Sequence, residues 1–399
     1  MTLNTDIAEM RTTKASAPVV ESTTRSSAVV SRQGAPRILM VGGGTGGHAY
    51  PAIAIADAIR AQNPRAVVEF AGSRTNIEWR IVPEAGYAIH HVSVRGLQRK
   101  LTLANLAMPF VVSRGLVEAH ALIRHFDADI IVGTGGYVAM PVILAARVLR
   151  RPIVLQEQNA FMGLTNRVGM RFATRLHVAF PEAIPNSDSD RCRLTGNPVR
   201  TSLTRPTREE AHAHFNMSGI RQVIFMTGGS LGSQVMNEVM AESVRSFLSR
   251  GDTAVIWQTG DRYFDRYKES IPEHPNLHLL RYVSRMDMAY NAADLVVCRA
   301  GASTCSELML TGSAPLLIPS PNVAEDHQTQ NARSLEKAGA AEILPESRMR
   351  ADFRSTVRRL LDQPDRLAEM RTQAKRLARP DAAADIARDV LNLAMEGLN

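Results

Sequence analysis

The residues best placed to do chemistry lie in glycine-rich segments. Gly42-Gly43-Gly44-Thr45-Gly46-Gly47-His48 directly follows an apolar run. So many glycines let the backbone approach a ligand and leave N–H groups free at the start of a helix, a setting suited to phosphate. The spacing is not the dinucleotide fingerprint, and the Lys-Ser/Thr of a P-loop is absent. His48 has two readings: a helix-start residue that caps or packs, or a base that titrates near neutral pH and meets a phosphate or sugar hydroxyl. Gly228-Gly229-Ser230-Leu231-Gly232-Ser233 is a second such turn. Its amides and the Ser230 hydroxyl suit a pyrophosphate held without metal, although a purely structural turn would look similar.

Further polar clusters follow other short apolar runs. Glu157-Gln158-Asn159 and Gly133-Thr134-Gly135-Gly136-Tyr137 each come after a predicted strand. That is where open α/β sheets bind ligands. Gly301-Ala302-Ser303-Thr304-Cys305-Ser306-Glu307 opens a predicted helix. Glu307 either serves the helix dipole or accepts both hydroxyls of a ribose. Asp326-His327-Gln328-Thr329-Gln330-Asn331 is a polar cluster after a proline-rich loop. No Asp-x-Asp, His-x-x-x-His or cysteine pair suggests a metal, and no nucleophile elbow is present, so neither metal nor cofactor is expected. Helix N-termini and basic side chains such as Arg200 would then neutralise phosphates.

The elements that must hold these loops read clearly. Ile38–Val41, Val67–Phe70, Asp129–Val132 and Pro152–Leu155 are predicted strands, with helical patterns between them. Strands alternating with helices imply a parallel sheet with right-handed crossovers. The pattern pauses over 180–208, which is rich in proline and polar residues, and a hinge is expected near Gly196 to Arg205. It restarts at Gln222–Met226 and continues through Val255–Trp257, Leu277–Leu280, Leu295–Val297 and Ala314–Ile318. The fold class is therefore α/β with two Rossmann-like halves. The expected divisions are a disordered extension over 1–34, a first domain over 35–198 and a second over 199–379. A C-terminal helix over 380–399 is expected to pack back on the first domain.

Bulk properties agree. A chain of 399 residues exceeds what one core usually serves. Net charge is +8, favouring phosphate-bearing partners, but aromatics at 5% without basic interleaving argue against a nucleic-acid stacking surface. Three cysteines without paired spacing form neither a disulfide framework nor a zinc site. No run of about 18 apolar residues or secretory h-region occurs.

Taken in order, GGTGGH (Gly43 to His48), EQN (Glu157 to Asn159), TGNPVR (Thr195 to Arg200), GGS-x-G (Gly228 to Gly232), RAGAST-x-SE (Arg299 to Glu307) and DHQ-x-x-NA (Asp326 to Ala332) resemble the motifs of the bacterial MurG family. These are UDP-N-acetylglucosamine–N-acetylmuramyl-(pentapeptide) pyrophosphoryl-undecaprenol N-acetylglucosamine transferases. The resemblance runs from Arg37 to the C-terminus. It implies a GT-B fold with the active site between two Rossmann-like domains. It further implies inverting transfer of N-acetylglucosamine from UDP to the muramoyl 4-hydroxyl of lipid I, giving lipid II in peptidoglycan synthesis.

Carried over by position, Thr45, Gly46, Gly47 and Asn159 approach the donor sugar or its phosphates. Arg200 and Ser230 hold the diphosphate, and Val283 contacts uracil through its backbone. Glu307 binds ribose, Gln328 meets the donor sugar, and His48 is the candidate base. Leu231 stands where many relatives carry Gln, and Gln98-Arg99-Lys100 replaces a more usual Arg-Gly-Lys. The partners implied are UDP-N-acetylglucosamine, lipid I, an anionic membrane surface and other cell-wall synthesis proteins, with no nucleic acid. The place implied is the cytoplasmic face of the inner membrane, held peripherally. Arg95 to Leu101 and Leu106 to Phe110 supply a basic and apolar patch for that surface, or alternatively an ordinary amphipathic helix.

Two other readings compete. One is a related GT-B enzyme with another acceptor, such as a diacylglycerol glycosyltransferase, or a UDP-sugar epimerase, which would need an acid cluster that is not seen. The other is a non-catalytic nucleotide-sugar-binding protein. If His48 is the base, His48→Ala lowers turnover far more than UDP affinity; equal losses in steady-state kinetics and calorimetry would make it a binding residue.

Overall fold

The computed structural model describes residues 35–94, 108–187 and 189–396. The expected extension over 1–34 and residues 95–107 of the expected membrane-facing patch lie outside the described residues.

The first half begins with β1 (Arg37–Gly42), α1 (Gly46–Gln62), β2 (Val67–Gly72), α2 (Glu78–Glu84) and β3 (Ala88–His91). It continues with α3 (Met108–Phe126), β4 (Ile130–Gly135), α4 (Ala139–Val148), β5 (Ile153–Glu157), α5 (Leu164–Gly169), β6 (Arg175–Val178) and β7 (Cys192–Leu194). The second half opens with α6 (Arg208–His214), β8 (Gln222–Thr227), α7 (Gln234–Leu248), β9 (Thr253–Gln258), α8 (Phe264–Ser270) and β10 (Leu277–Leu280). Then come α9 (Met286–Ala292), β11 (Leu295–Cys298), α10 (Ala302–Thr311), β12 (Pro315–Leu317), α11 (His327–Lys337) and β13 (Glu342–Ile343). Helices α12 (Met349–Leu361), α13 (Pro364–Leu377) and α14 (Ala382–Glu396) complete it.

Among the described residues there are two parallel sheets. The seven-stranded one runs β3-β2-β1-β4-β5-β6-β7 and the six-stranded one β10-β9-β8-β11-β12-β13. Both share the doubly wound order, in which the strand sequence reverses between the first and fourth strands of each half. The strands read as near-continuous apolar runs because helices cover both faces. In β11 all of Leu295 to Cys298 are buried, and β1 buries Ile38 to Gly42. The reversals put four loops at ligand-binding crevices: β1–α1 and β4–α4 in one half, β8–α7 and β11–α10 in the other. These are the loops that carry the glycine-rich segments.

The chain crosses between the halves twice, and the crossings touch. Gly196 has φ +92°, and a Cβ there would lie 2.4 Å from Cβ of Arg379. Only glycine fits that close, left-handed turn. After the second crossing, α14 packs on α1. Its Ile386, Ala387, Val390 and Ala394 are fully buried in one core with Ile55, Ile59 and Phe70 of the first half. Asp389 on the same helix meets Arg175 at 2.9 Å and His177 at 3.0 Å. The His177 contact, then the arginine, hold its carboxyl below the usual range.

Truncating Ile386→Ala leaves a cavity where α14 meets α1. Urea unfolding should show a loss of about 2–5 kcal/mol.

Candidate active site

The first crevice is built by glycines that permit backbone to press on backbone. A Cβ on Gly42 would lie 1.8 Å from Oγ1 of Thr134, and one on Gly136 (φ +81°) would lie 2.0 Å from the Gly43 carbonyl. Fully buried Glu78 fixes this arrangement from below. One of its oxygens accepts the Gly44 amide at 3.0 Å, and the other accepts the Ser73 amide at 3.2 Å and Nδ2 of Asn76 at 3.1 Å. A Cβ on Gly43 would run into that carboxylate. The chain then turns into α1, whose N-cap Thr45 makes no side-chain cap and whose first turn holds no acid. Thr45 and Gly47 are exposed, with Gly46 and His48 half-buried. The leading amides of α1 thus face outward, ready for an anion or an oxygen-rich ligand.

His48 is held from one side. Its Nδ1 lies 3.0 Å from the Thr134 carbonyl and 2.9 Å from Oε1 of Gln158. Carbonyl oxygens can only accept, so Nδ1 carries a proton, and in the neutral ring the lone pair lies on Nε2. The Gln158 amide is oriented by its own neighbours. Its Nε2 donates to the Thr134 carbonyl at 2.6 Å, to the Gln156 carbonyl at 3.2 Å and to Oε1 of Gln156. A flipped amide would set oxygen against oxygen at these three contacts. Backbone carbonyls therefore fix the tautomer in which Nε2 is available as a base.

The neighbouring residue, Asn159, turns the other way. Buried Glu157 shapes this bend by accepting the amide of Asn159 at 3.0 Å and that of Gly163 at 3.0 Å, with Nδ2 of Asn166 at 2.8 Å. Oδ1 of Asn159 accepts from Nδ2 of Asn331 at 3.2 Å. Fully buried Asn331, on α11 of the other half, also accepts the Ala160 amide at 2.8 Å and donates to the Ala300 carbonyl at 3.1 Å. The loop after β5 is thereby joined to the β11–α10 loop. Two further contacts cross the seam: Arg167 to Glu325, and Ser334, whose hydroxyl donates to Glu182 at 2.9 Å.

In the second half, the β8–α7 loop leaves Ser230 exposed, and α7 starts at Ser233 without a side-chain cap or an acid in its first turn. Gln258 braces this loop. Its amide nitrogen donates to Oγ1 of Thr227 and to the Gly229 carbonyl, both at 3.0 Å, while its oxygen accepts the Val283 amide at 2.8 Å. The Val283 N–H is thus committed to Gln258, so a base could be met there only through the carbonyl. Arg299 ties Ser233 at 2.7 Å to the Ile318 carbonyl at 3.2 Å and pairs with Glu346. Helix α10 also starts uncapped, at Gly301. Glu307 on that helix is half-buried, and burial raises its pKa above the usual carboxylate value; the Tyr290 hydroxyl and the Arg200 guanidinium pull it back down. Arg200 is exposed, and its charge bears on Glu307. Gln328, in the first turn of α11, accepts the Ser320 amide at 2.9 Å and keeps its amide nitrogen as a donor.

The structure thus places Ser230, Val283, Arg200, Glu307 and Gln328 in the second half, and Thr45, Gly46, Gly47, His48 and Asn159 in the first. Asn331 links the two sets. Among the described residues no cluster of three or more metal-ligating side chains occurs. Sequence reasoning missed Glu78, Gln258 and the bridging role of Asn331. Each acts through partners remote in the chain, and only Asn331 fell within a segment already noted as polar.

The sequence matches the glycosyltransferase family 28 N-terminal domain over residues 38–178 and the family's C-terminal domain over 223–386. It is 52% identical over 360 residues to a protein of Salinibacter ruber, covering 90% of this chain and 97% of that one. A protein of Flavobacterium psychrophilum is 38% identical over 359 residues, covering 90% and 97%. Both bear the name UDP-N-acetylglucosamine–N-acetylmuramyl-(pentapeptide) pyrophosphoryl-undecaprenol N-acetylglucosamine transferase. The crystal structure of Acinetobacter baumannii MurG superposes with a TM-score of 0.74 at 28% identity, covering 90% of this chain and 99% of that one.

Gly136→Ala would force a left-handed backbone on alanine and drive a methyl into the Gly43 carbonyl. Such strain costs about 1–3 kcal/mol, so the melting temperature should drop by several degrees and the β1–α1 loop should lose protection from amide hydrogen exchange.

Proposed function

The chain belongs to the MurG family of glycosyltransferases, and on that premise we propose that it transfers N-acetylglucosamine from UDP-N-acetylglucosamine to the 4-hydroxyl of the muramoyl sugar of lipid I, an undecaprenyl pyrophosphate glycolipid. The product is lipid II, formed with inversion at the anomeric carbon. One observation carries this reading: consecutive residues Gln158 and Asn159 join His48 on one side to Asn331 and the β11–α10 loop on the other. A base with a free lone pair therefore belongs to the same bonded unit as the helix start of a nucleotide site.

In the mechanism this supports, residues 35–198 take the acceptor and 199–379 the donor. His48 Nε2 accepts the proton of the attacking hydroxyl as the new C–O bond forms. The bond from the anomeric carbon to the diphosphate breaks through an oxocarbenium-like centre, and its electrons leave with UDP. The negative charge that develops on the departing diphosphate meets the Ser230 loop, the uncapped start of α7 and Arg200. Glu307 accepts the ribose hydroxyls, the Val283 carbonyl accepts the uracil N–H, and the Gln328 amide, with Asn159, meets the sugar. Thr45, Gly46 and Gly47 present α1 amides to the donor sugar or its phosphates. Helix N-termini and an arginine do what a metal does in other transferases, so no cofactor is invoked.

The acceptor carries a lipid tail, and we place the enzyme peripherally on the cytoplasmic face of the inner membrane. No helix among the described residues is long and apolar enough to cross a membrane. Support for a surface mode comes from α3, where Phe110, Val112 and Val117 are exposed alongside Arg114 and Arg124. Apolar side chains among cations suit an anionic lipid surface.

The test is transfer of radiolabelled N-acetylglucosamine from its UDP donor to a lipid I analogue, beside UDP-galactose with diacylglycerol. Labelled lipid II analogue should form with the first pair alone, at a rate unchanged by a chelator. UDP binding without either product would overturn the assignment.

A further inference from the structure

Glu307 does not stand alone in the second half. Tyr290, on α9, donates its hydroxyl to Oε2 of Glu307 at 2.9 Å. Its ring lies edge-on to Phe225 of β8, with centroids 5.7 Å apart. Tyr290 is only 3% exposed, so it cannot itself touch a nucleotide. Tyr290 belongs to a core that also buries Cys298, Cys305, Leu308 and Ala300, and Cys298 is close enough to feel the charge of Glu307. Burial pushes both thiols upward, Cys305 to about 12, so they stay neutral. The groups that bear on the charge of Glu307 are therefore Arg200 from the crossing segment and Tyr290 from α9.

A carboxylate half-buried beside such a core has two weaknesses. Its charge is poorly solvated, and its plane is free to rotate about the terminal torsion, which is broad for glutamate. One O–H donor answers both, because a charge-assisted hydrogen bond favours the ionised form and fixes one oxygen in space. We propose that Tyr290 is a positioning residue of the ribose site: its hydroxyl locks the plane of the Glu307 carboxylate so that its remaining lone pairs meet the two ribose hydroxyls. The inference rests on the reading of Glu307 as the ribose ligand. It assigns a function in nucleotide recognition to a buried tyrosine whose ring would otherwise count only as core.

The consequence is selective for the diol. Tyr290→Phe keeps the ring packed on Phe225 and removes only the oxygen. Calorimetric titration should show UDP binding weakened about tenfold, the loss of one charge-assisted hydrogen bond. Binding of 2′,3′-dideoxyuridine diphosphate, which lacks both ribose hydroxyls, should not change. The ratio of the two affinities does not depend on how much of the preparation is folded. The pH profile gives a second readout. A protonated Glu307 no longer accepts both hydroxyls, so UDP affinity is full above its pKa and falls as pH drops through it. Losing the tyrosine hydroxyl disfavours the charged form, and the midpoint of that fall should move to higher pH.

Equal weakening of UDP and the dideoxy analogue, or an unmoved pH midpoint, would make Tyr290 a packing residue and overturn the inference. Glu307→Gln separates this from failure of the underlying reading. If that variant still prefers UDP over the dideoxy analogue as the parent does, Glu307 is not the ribose ligand. If it loses the preference while Tyr290→Phe keeps it, only the role given to Tyr290 is wrong.

Discussion

Two Rossmann-like halves can share a site only if something buried fixes one loop against the other, and here that role falls to the side-chain amide of Asn331. Its oxygen takes the Ala160 amide, while its nitrogen serves both the Asn159 side chain and the Ala300 carbonyl. An amide sealed from water must satisfy these groups or pay for their desolvation, which runs to about 1–3 kcal/mol for each group left unmade. The alternative to the observed seam is therefore unfavourable, and the bend of the loop after β5 follows from it. Because Gln158 is the next residue back, the orientation of His48 inherits the same constraint.

Around the first crevice the constraint is steric rather than polar. Gly42, Gly43 and Gly136 bring β1–α1 and β4–α4 together at distances no Cβ would permit. Glu78 compensates for the amides that this crowding would strand. A buried carboxylate commonly calls for a cation, but its partners here are two backbone N–H groups and an asparagine, which suits an anion without importing a second charge. The site thereby keeps its positive potential on the helix starts, where a departing diphosphate would need it.

Much of this was legible in the sequence. The long central strands announced themselves as apolar runs, and the glycine-rich segments marked the reversal points of both sheets. Legibility failed in two physical situations. Short edge and near-edge strands such as β3 and β13 are half-exposed, two to four residues long, and give no apolar run to read. Residues that work through distant partners give no local signal: Glu78 acts on an amide 34 positions away, and Asn331 acts on one 171 away. Gln258 lies one residue past the expected strand Val255–Trp257, and nothing in its neighbourhood hinted that it would brace both Gly229 and Val283. The tautomer of His48 was equally hidden, because it depends on carbonyl oxygens that every residue possesses.

The docking of α14 also bears on the order in which the molecule can be made. Its apolar stripe completes the core formed by α1 and β2, yet it follows every other described element in the chain. During vectorial synthesis the first half leaves the ribosome with Ile55 and Ile59 still lacking their cover, and waits for more than 300 intervening residues, from Gln62 to Ala382, to emerge. Domain-by-domain maturation from the N-terminus, the usual route for chains of this size, is thus closed to its last step until α14 itself has been made. Until then the apolar surface of α1 that α14 covers in the finished fold stands open to water.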